Sequence, residues 1–442
     1  FLFNEPFAEA HNATADVEAT TRCFLELLRR QIFTEKELNV SPDYFTNFSE
    51  HNPKPIELIG LEHINLKKAS EKIRKALQKG KKTDLSTEEI QQNIAELKDV
   101  KFAHLHNHSQ FSILQSTSST KDLIQATIKD NMPAVAITDT GNMMGAFHFV
   151  QGIAAHNEAL KKASESGDTT EEPNYLKGIV GCEFFVCENR LDKNNKDNGY
   201  QIVFLAKNKK GYHNLAKMAS IAYTEGFYYV PRIDRETILK YKEDLIVLTG
   251  SLYGEVPGKI LNIGENQAEE ALIWWKQTFR EDLYIELMRH NQEDEDRVNP
   301  VLISLAKKHN VKIVATNNTY YINKEDANAH DILLCVKDGE KQSTPKGRGR
   351  GYRYGLPNDE YYFKSTEQMK VLFEDIPEAI SNIQEIVDKI EPFTLSRDVL
   401  LPKFDIPKEF VVQDDPDGKK GENNYLRHLT YEGAKKRYQN LT

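Results

Sequence analysis

Apolar positions divide the chain into two rhythms. In AHNATADVEATTRCFLELLRR, residues 10–30, Val17, Phe24, Leu25 and Leu28 recur at helical spacing with small residues between them, which predicts a closely packed helix. From 31 to 100 the pattern turns polar. SPDYFTNFSEHNPKP reads as loop, and KKASEKIRKALQKGKKTDLSTEEIQQNIAELK as two charged helices broken at KGKKTD, together a linker with helical content. From about 101, short apolar runs (FAHLHNH, AVAITDT, GIVGCEFFV, YQIVFLAKN, DLIVLTGSL, DLYIELMRH, KIVATNNTYY) alternate with helical stretches such as KDLIQATIKDN, GYHNLAKMASIAY and NPVLISLAKKHN. Repeated strand and helix units predict an α/β fold, a parallel sheet or barrel, with its site at the carboxyl ends of the strands. Past 340, KQSTPKGRGRGYRYGLPNDEYY is a long basic, glycine-rich loop leading into a short strand. STEQMKVLFEDIPEAISNIQEIVDKI reads as a helical tail, and an extended Pro-rich segment runs into a last helix. The expected division is therefore 1–30, a helical end piece; 31–100, a helical linker; 101–340, the α/β domain; and 341–442, an extended and α-rich transition.

Composition narrows this picture. The chain has 442 residues, 39% apolar and 28% charged, ordinary for a soluble globular protein of several domains. With 58 Lys and Arg against 67 Asp and Glu the formal charge is −9, which argues against a surface that grips phosphates everywhere, so any nucleic-acid contact must be local. Four scattered cysteines, Cys23, Cys182, Cys187 and Cys335, make no disulfide framework and fit a reducing cytoplasm. No apolar run approaches the roughly 18 residues of a membrane span, and no signal-peptide pattern is present, so no membrane partner is expected. The opening FLFNEPFAEAHNATADVEAT reads as the middle of something, which leads us to expect a piece of a longer protein.

Candidate chemistry concentrates in HLHNHSQFS, residues 104–112. On a strand, His104, His106 and His108 would face one side, and two imidazoles so placed form a half-site for zinc or manganese. HxH alone does not separate a metal site from packed histidines. KGRGRGYRYG interleaves Lys346, Arg348, Arg350 and Arg353 with Tyr352 and Tyr354, the pattern of a loop touching phosphates and bases, against the alternative of a solvated loop. Cys182 and Cys187 fall on opposite faces of a predicted strand and read as small core residues, as Trp274 and Trp275 with Phe279 read as helix packing. KNKKGY lacks the Walker spacing, so no nucleotide site is assigned.

FAHLHNHSQFSILQ, VAITDTGNMMGAFHF, LKGIVGCEFFV, LAKNKKGYHNLAKMASIAYTEGFYYVPRID, LIVLTGSLYGE and VATNNTYYINKEDANAHDILLCV, in this order, resemble the polymerase and histidinol phosphatase (PHP) domain at the front of bacterial replicative DNA polymerase III α subunits. YYFKSTEQMKVLFEDIPEA and YLRHLTYEGAKKRY resemble the start of the polymerase part, so the likeness covers about 101–437. It implies a PHP-type distorted (β/α) barrel whose mouth holds a metal cluster in the metal-binding members. Here His106, His108 and Glu183 keep ligand chemistry at ligand positions, whereas Gln115, Thr140, Gln201, Ser251, Asn318 and Tyr320 stand where the metal-binding form has ligands. Clustered dications need bridging carboxylates, because neutral amides cannot offset their repulsion. The expectation is a degenerate, mainly structural PHP domain holding no ion, or at most one weak zinc or manganese; the alternative is a metal-dependent phosphoesterase or nuclease at the residual site.

AHNATADVEAT, with His11 and Asp16 five apart, resembles the third motif of the DEDDh 3′–5′ exonucleases, in which the His acts as general base and the Asp binds one of two metals. The resemblances together imply a parent that joins exonuclease, PHP domain and polymerase, using Mg²⁺ for both activities, with primer–template DNA, deoxynucleotides and replisome subunits such as the sliding clamp as partners. The chain alone is expected to be inactive. A third reading makes the helical stretch 65–98 a docking module for other replication proteins.

Overall fold

Seven strands, mostly buried apolar runs of β-branched residues, form one mixed sheet at the centre of the computed structural model, which describes residues 2–3, 13–57, 86–166, 173–347, 349–397 and 404–438. Two compact units are resolved, 1–85 and 86–442, and the division falls inside the stretch expected as linker. In the first unit α1 (Ala13–Arg29) is the helix expected from its apolar spacing, followed by the short α2 (Glu35–Leu38) and α3 (Tyr44–His51). Leu28 is buried but Val17 is 65% exposed and Phe24 42%, so the close packing expected along the whole helix is confined to one end. Glu26 is buried beneath Arg29 and Arg30, whose guanidinium groups hold its carboxyl at about 2. The first of the two charged helices expected in the linker lies outside the described residues. The second is α4 (Thr87–Leu97), which belongs to the second unit and starts at Ser86 with a capping box to Glu89.

In the second unit the order is α5 (Thr120–Lys129), β1 (Ala134–Ile137), α6 (Ala146–Ser166), β2 (Lys177–Val186), β3 (Tyr200–Ala206), α7 (Lys209–Thr224), β4 (Arg232–Ile233) and α8 (Arg235–Tyr241). There follow β5 (Leu245–Leu248), α9 (Glu255–Asn262), α10 (Glu265–Phe279), β6 (Leu283–Leu287), α11 (Glu293–His309), β7 (Lys312–Ala315), α12 (Ala327–Asp338), α13 (Thr366–Leu372), α14 (Pro377–Lys389) and α15 (Lys419–Arg437). The strand order is β1-β2-β3-β5-β6-β7, with β4 beside β2. Pairs β1·β2, β2·β4, β5·β6 and β6·β7 are parallel, but β3 runs antiparallel to both β2 and β5. This corrects the expectation of an all-parallel sheet. No helix lies between β2 and β3, so the chain returns by a hairpin loop and not by a crossover. The apolar helix faces cover this sheet: Trp275 and Phe279 of α10 pack on Phe204 of β3, as the packing reading of the tryptophans required. Cys182 and Cys187 are buried and free. The short strand expected at NDEYY is only a single bridge between Tyr321 and Tyr362.

The histidine segment closes the curl of the sheet. Ala136 N–H donates to the His104 carbonyl (2.8 Å) and Thr138 N–H to that of Asn107 (2.8 Å), which ties the segment to β1. On its other side His108 N–H donates to the Thr319 carbonyl (2.8 Å) and Thr319 N–H to that of His106 (3.1 Å), just past β7. The site thus lies at a seam, at the mouth where β1, β2, β5, β6 and β7 present their carboxyl ends or later residues. The reversed β3 presents its amino end there, with Gln201.

Candidate active site

The backbone of 104–108 makes only isolated bridges, so the two-residue alternation lapses and the three histidines do not project together. His104 turns away, with its Nε2 2.8 Å from the Lys364 carbonyl and its ring against Phe102 and Phe363. Burial holds its pKa down at about 4. His106 and His108 do converge, with ring centroids 5.3 Å apart, on Glu183 from the middle of β2. Donor atoms of the three lie within 4.8 Å of one another, and all three residues are buried.

His106 sits between two carboxylates. Its Nδ1 is 2.7 Å from Glu286 Oε1 and its Nε2 is 3.5 Å from Glu183 Oε1. Burial acts to strip its charge, but Glu286 and Glu183 together outweigh that and hold the imidazole up at about 10. Glu183 is pushed up by burial, yet its contacts with His106 and Thr140 and the nearby His108 leave it below the ordinary carboxylate range. His108 is the opposite case. Burial outweighs the field of Glu183 and brings its pKa to about 4, so at neutral pH it is uncharged. Glu286, in the middle of β6, completes this arrangement and was not singled out from the sequence. The signal available was a carboxylate inside the otherwise apolar run LYIELM, a residue type that central strands bury only when it has a partner.

Of the positions expected as lost ligands, Thr140, Asn318 and Tyr320 touch the trio. Thr140 Oγ1 donates to Glu183 Oε2 (3.0 Å) and lies 3.3 Å from His108 Nδ1. Asn318 Oδ1 is 2.9 Å from His108 Nε2, and the Tyr320 ring stacks on His108 at 4.4 Å with an 8° interplanar angle. Burial, with Glu183 adding, holds the Tyr320 phenol far above its ordinary range. Ser251 is buried past β5, where its hydroxyl accepts from Tyr253 N–H at 3.3 Å. Gln201 is half-buried and its N–H donates to the Tyr253 carbonyl. Gln115 is half-buried, and its carbonyl meets His330 Nε2 at 2.7 Å. Asp139, beside the trio but not part of it, accepts from Ser109 N–H and from the Ser109 and Ser112 hydroxyls, each at 2.7 Å; burial raises its pKa.

The other sequence candidates divide. His11 lies outside the described residues, while Asp16 is exposed in the first turn of α1. Arg348 also lies outside the described residues, and Arg350 is exposed. Arg353 is corrected as a DNA contact: it is 4% exposed and makes a two-pronged pair with Asp331 of α12 (2.9 and 2.8 Å), so its guanidinium is spent inside the protein. Lys346 joins it, 3.0 Å from Asp331 and 3.1 Å from the Leu356 carbonyl. The basic loop is therefore pinned to α12. Burial, with Tyr253 and Glu183 adding, raises the phenol of its Tyr354.

The donor set fits one ion and not a cluster. His106 Nε2 and Glu183 Oε1 are buried without hydrogen-bond partners, and their 3.5 Å separation suits two ligands of a single tetrahedral ion. Glu286 behind His106 is the carboxylate–histidine pairing that orients a metal ligand. For a second ion the surroundings offer a threonine hydroxyl, an amide and a phenol; of the two nearby carboxylates outside the trio, Glu286 is turned to His106 Nδ1 and Asp139 is held by the Ser109 and Ser112 hydroxyls.

An α/β curl with His, His and Glu gathered at its mouth is the setting of a PHP-type site, and residues 104–290 match the PHP domain family. The chain is also homologous over about three quarters of its length to DNA polymerase III α subunits. It is 38% identical to that of Borreliella burgdorferi over 77% of this chain and 27% of the relative, and 35% identical to that of Treponema pallidum over 76% and 26%. The subunit of Thermus aquaticus is 36% identical over 77% and 26%. The chain thus carries the PHP region of an α subunit, and it spans about a quarter of the length of the curated relatives it matches. Among the described residues no helix is long and apolar enough to cross a membrane.

Proposed function

We propose that this chain is the PHP-bearing part of a replicative DNA polymerase III α subunit and that its PHP domain serves as a scaffold, not as a nuclease. The parent would extend primers on template DNA from deoxynucleotides with Mg²⁺, in company with replisome subunits such as the sliding clamp. The observation that carries the scaffold reading is the burial of the site. His106 and His108 are 0% exposed and Glu183 1%, so no phosphodiester reaches them without a rearrangement of the mouth. Their charges are also compensated already, an imidazolium lying between two carboxylates. The test uses the 442-residue chain, by elemental analysis and by hydrolysis of bis-p-nitrophenyl phosphate with added Mn²⁺ or Zn²⁺. The reading expects substoichiometric metal and no hydrolysis in wild type, with His106→Ala lowering only the thermal midpoint.

One observation favours a second reading, a single-metal phosphoesterase: the unpartnered His106 Nε2 and Glu183 Oε1 with Glu286 behind. His106, His108 and Glu183 would hold the ion, which when bound polarises a phosphoryl oxygen and activates a water. Stoichiometric metal and hydrolysis, both lost in His106→Ala, would establish that reading.

For the amino-terminal stretch we propose the end of a DEDDh exonuclease, with His11 as general base and Asp16 as Mg²⁺ ligand. The support is the HxxxxD spacing leading into an observed helix. Degradation of single-stranded DNA by the full-length gene product, abolished by His11→Ala, is its test.

A further inference from the structure

On the flank of the barrel, α7 and α8 bound a groove of about 770 Å³ lined by Lys209, Lys210, His213, Lys217 and Tyr241, and by no carboxylate among the described residues. In a chain of net charge −9 such a stretch is a local reversal of sign. Lys209, His213 and Lys217 are all exposed and follow one another at four-residue intervals, on one side of the helix. Lys240 of α8 adds a further exposed ammonium: its Nζ lies 5.4 Å from the Tyr241 ring centroid, and that of Lys217 lies 5.7 Å from it. Of the neighbouring acids, Asp244 is taken up by Lys210 (2.9 Å), and Glu243 is exposed beside the groove, its backbone carbonyl accepting from Asn214.

We infer that this groove is a docking track for the sugar–phosphate backbone of duplex DNA. Lys209 to Lys217 covers about 12 Å of axis at about 1.5 Å per residue, a length over which a duplex lying alongside presents several phosphates. The cations supplied are ammonium groups, those of Lys217 and Lys240 both beside the Tyr241 ring, and ammonium contacts to phosphate oxygens position a duplex without reading its sequence. An acidic protein segment would answer to the same charges, but Lys209 and Lys217 two turns apart on one helix, with Lys240 beside them, suit the regular charge of a duplex better. The groove lies on a different element from the basic loop 341–356, whose Arg353 is already spent.

This inference deepens the polymerase reading and rests on it. It is tested on the 442-residue chain by fluorescence anisotropy with a labelled 20-base-pair duplex over a range of salt. Lys209→Gln/Lys217→Gln/Lys240→Gln is compared with a variant that removes equal charge elsewhere, Lys161→Gln/Lys162→Gln/Lys435→Gln, at exposed positions on α6 and α15. Losing three phosphate contacts lessens the slope of log K against log salt by about 0.9 for each, and affinity is expected to fall at least tenfold at low salt. The control variant keeps the wild-type slope. An unchanged slope in the groove variant, an equal loss in the control, tighter binding of single strand than duplex, or displacement by polyglutamate at lower concentration than by DNA would each overturn it. Primer extension by the full-length gene product is the separate readout of the polymerase reading, so a groove variant that binds duplex normally sinks the groove alone.

Discussion

His106 shows how single contacts decide whether a histidine is a ligand or a strut. Removing Glu286 leaves a buried imidazolium with one partner instead of two. Glu286→Ala is expected to cost about 3 kcal/mol, read as a lower urea midpoint, while the triple variant His106→Leu/Glu286→Leu/Glu183→Gln, which leaves no buried charge without its partner, should recover most of the loss if the three only fill space. A triple variant as unstable as Glu286→Ala would argue against a purely structural group. The Arg353–Asp331 pair gives a pH prediction. Arg353 first, then Lys346, hold the Asp331 carboxyl at about 2, below the roughly 3.9 of an unfolded Asp. Because the folded value is the lower one, the contribution is fully present above pH about 4 and is lost as pH falls toward 2. Arg353→Gln should therefore destabilise the chain at pH 6, by about 2 kcal/mol because Lys346 remains as a partner. The difference from wild type should shrink between pH 4 and 2.5 in urea titrations.

Among the elements, the hairpin from β2 to β3 and the loop that follows β2 depend on residues whose role the one-dimensional pattern hides. Arg232 is fully buried in β4 and donates to the carbonyls of Gly226 (3.0 Å), Asp197 (2.8 Å), Asp192 (2.8 Å) and Arg190 (3.2 Å), fastening the loop that reverses the sheet. Gly226 allows that approach, since a Cβ there would lie 1.8 Å from the Arg232 carbonyl oxygen. Gly226→Ala should cost at least about 2 kcal/mol, visible as a lower thermal midpoint; a change within about 0.5 kcal/mol would show that the loop moves aside freely. The strands themselves were legible as apolar runs, and so was the missing helix between GIVGCEFFV and YQIVFLAKN. The reversed direction of β3 follows from that gap, and the alternating-unit reading passed over it.

For the whole molecule, α4 is the element whose assignment changes most. Its Leu97 is 2% exposed within the core of the second unit, Asn93 donates to the Glu374 carbonyl (2.9 Å), and Lys370 reaches back to the Lys98 carbonyl (3.1 Å). A chain of residues 86–442 is expected to fold, whereas one beginning at 101 should melt several degrees lower. Burying a side chain of this size is worth about 1.5–3 kcal/mol, and the two hydrogen bonds about 1 each. Equal melting temperatures for the two truncations would refute this. The local reading treated STEEIQQNIAEL as a charged linker helix because only one narrow side is apolar, and nothing in the sequence says which distant surface covers it.

By itself the sequence determined the α/β class and most strand and helix positions, because periodicity and residue type are local properties of the chain; that Glu183 joins His106 and His108 was implied only by the resemblance to the PHP domain. Tertiary structure alone decided that His104 turns away, that Glu286 stands behind His106, and that Arg353 is spent on Asp331. Each of those pairings joins residues from separate elements, and their energies depend on burial and on distances that no spacing along the chain encodes.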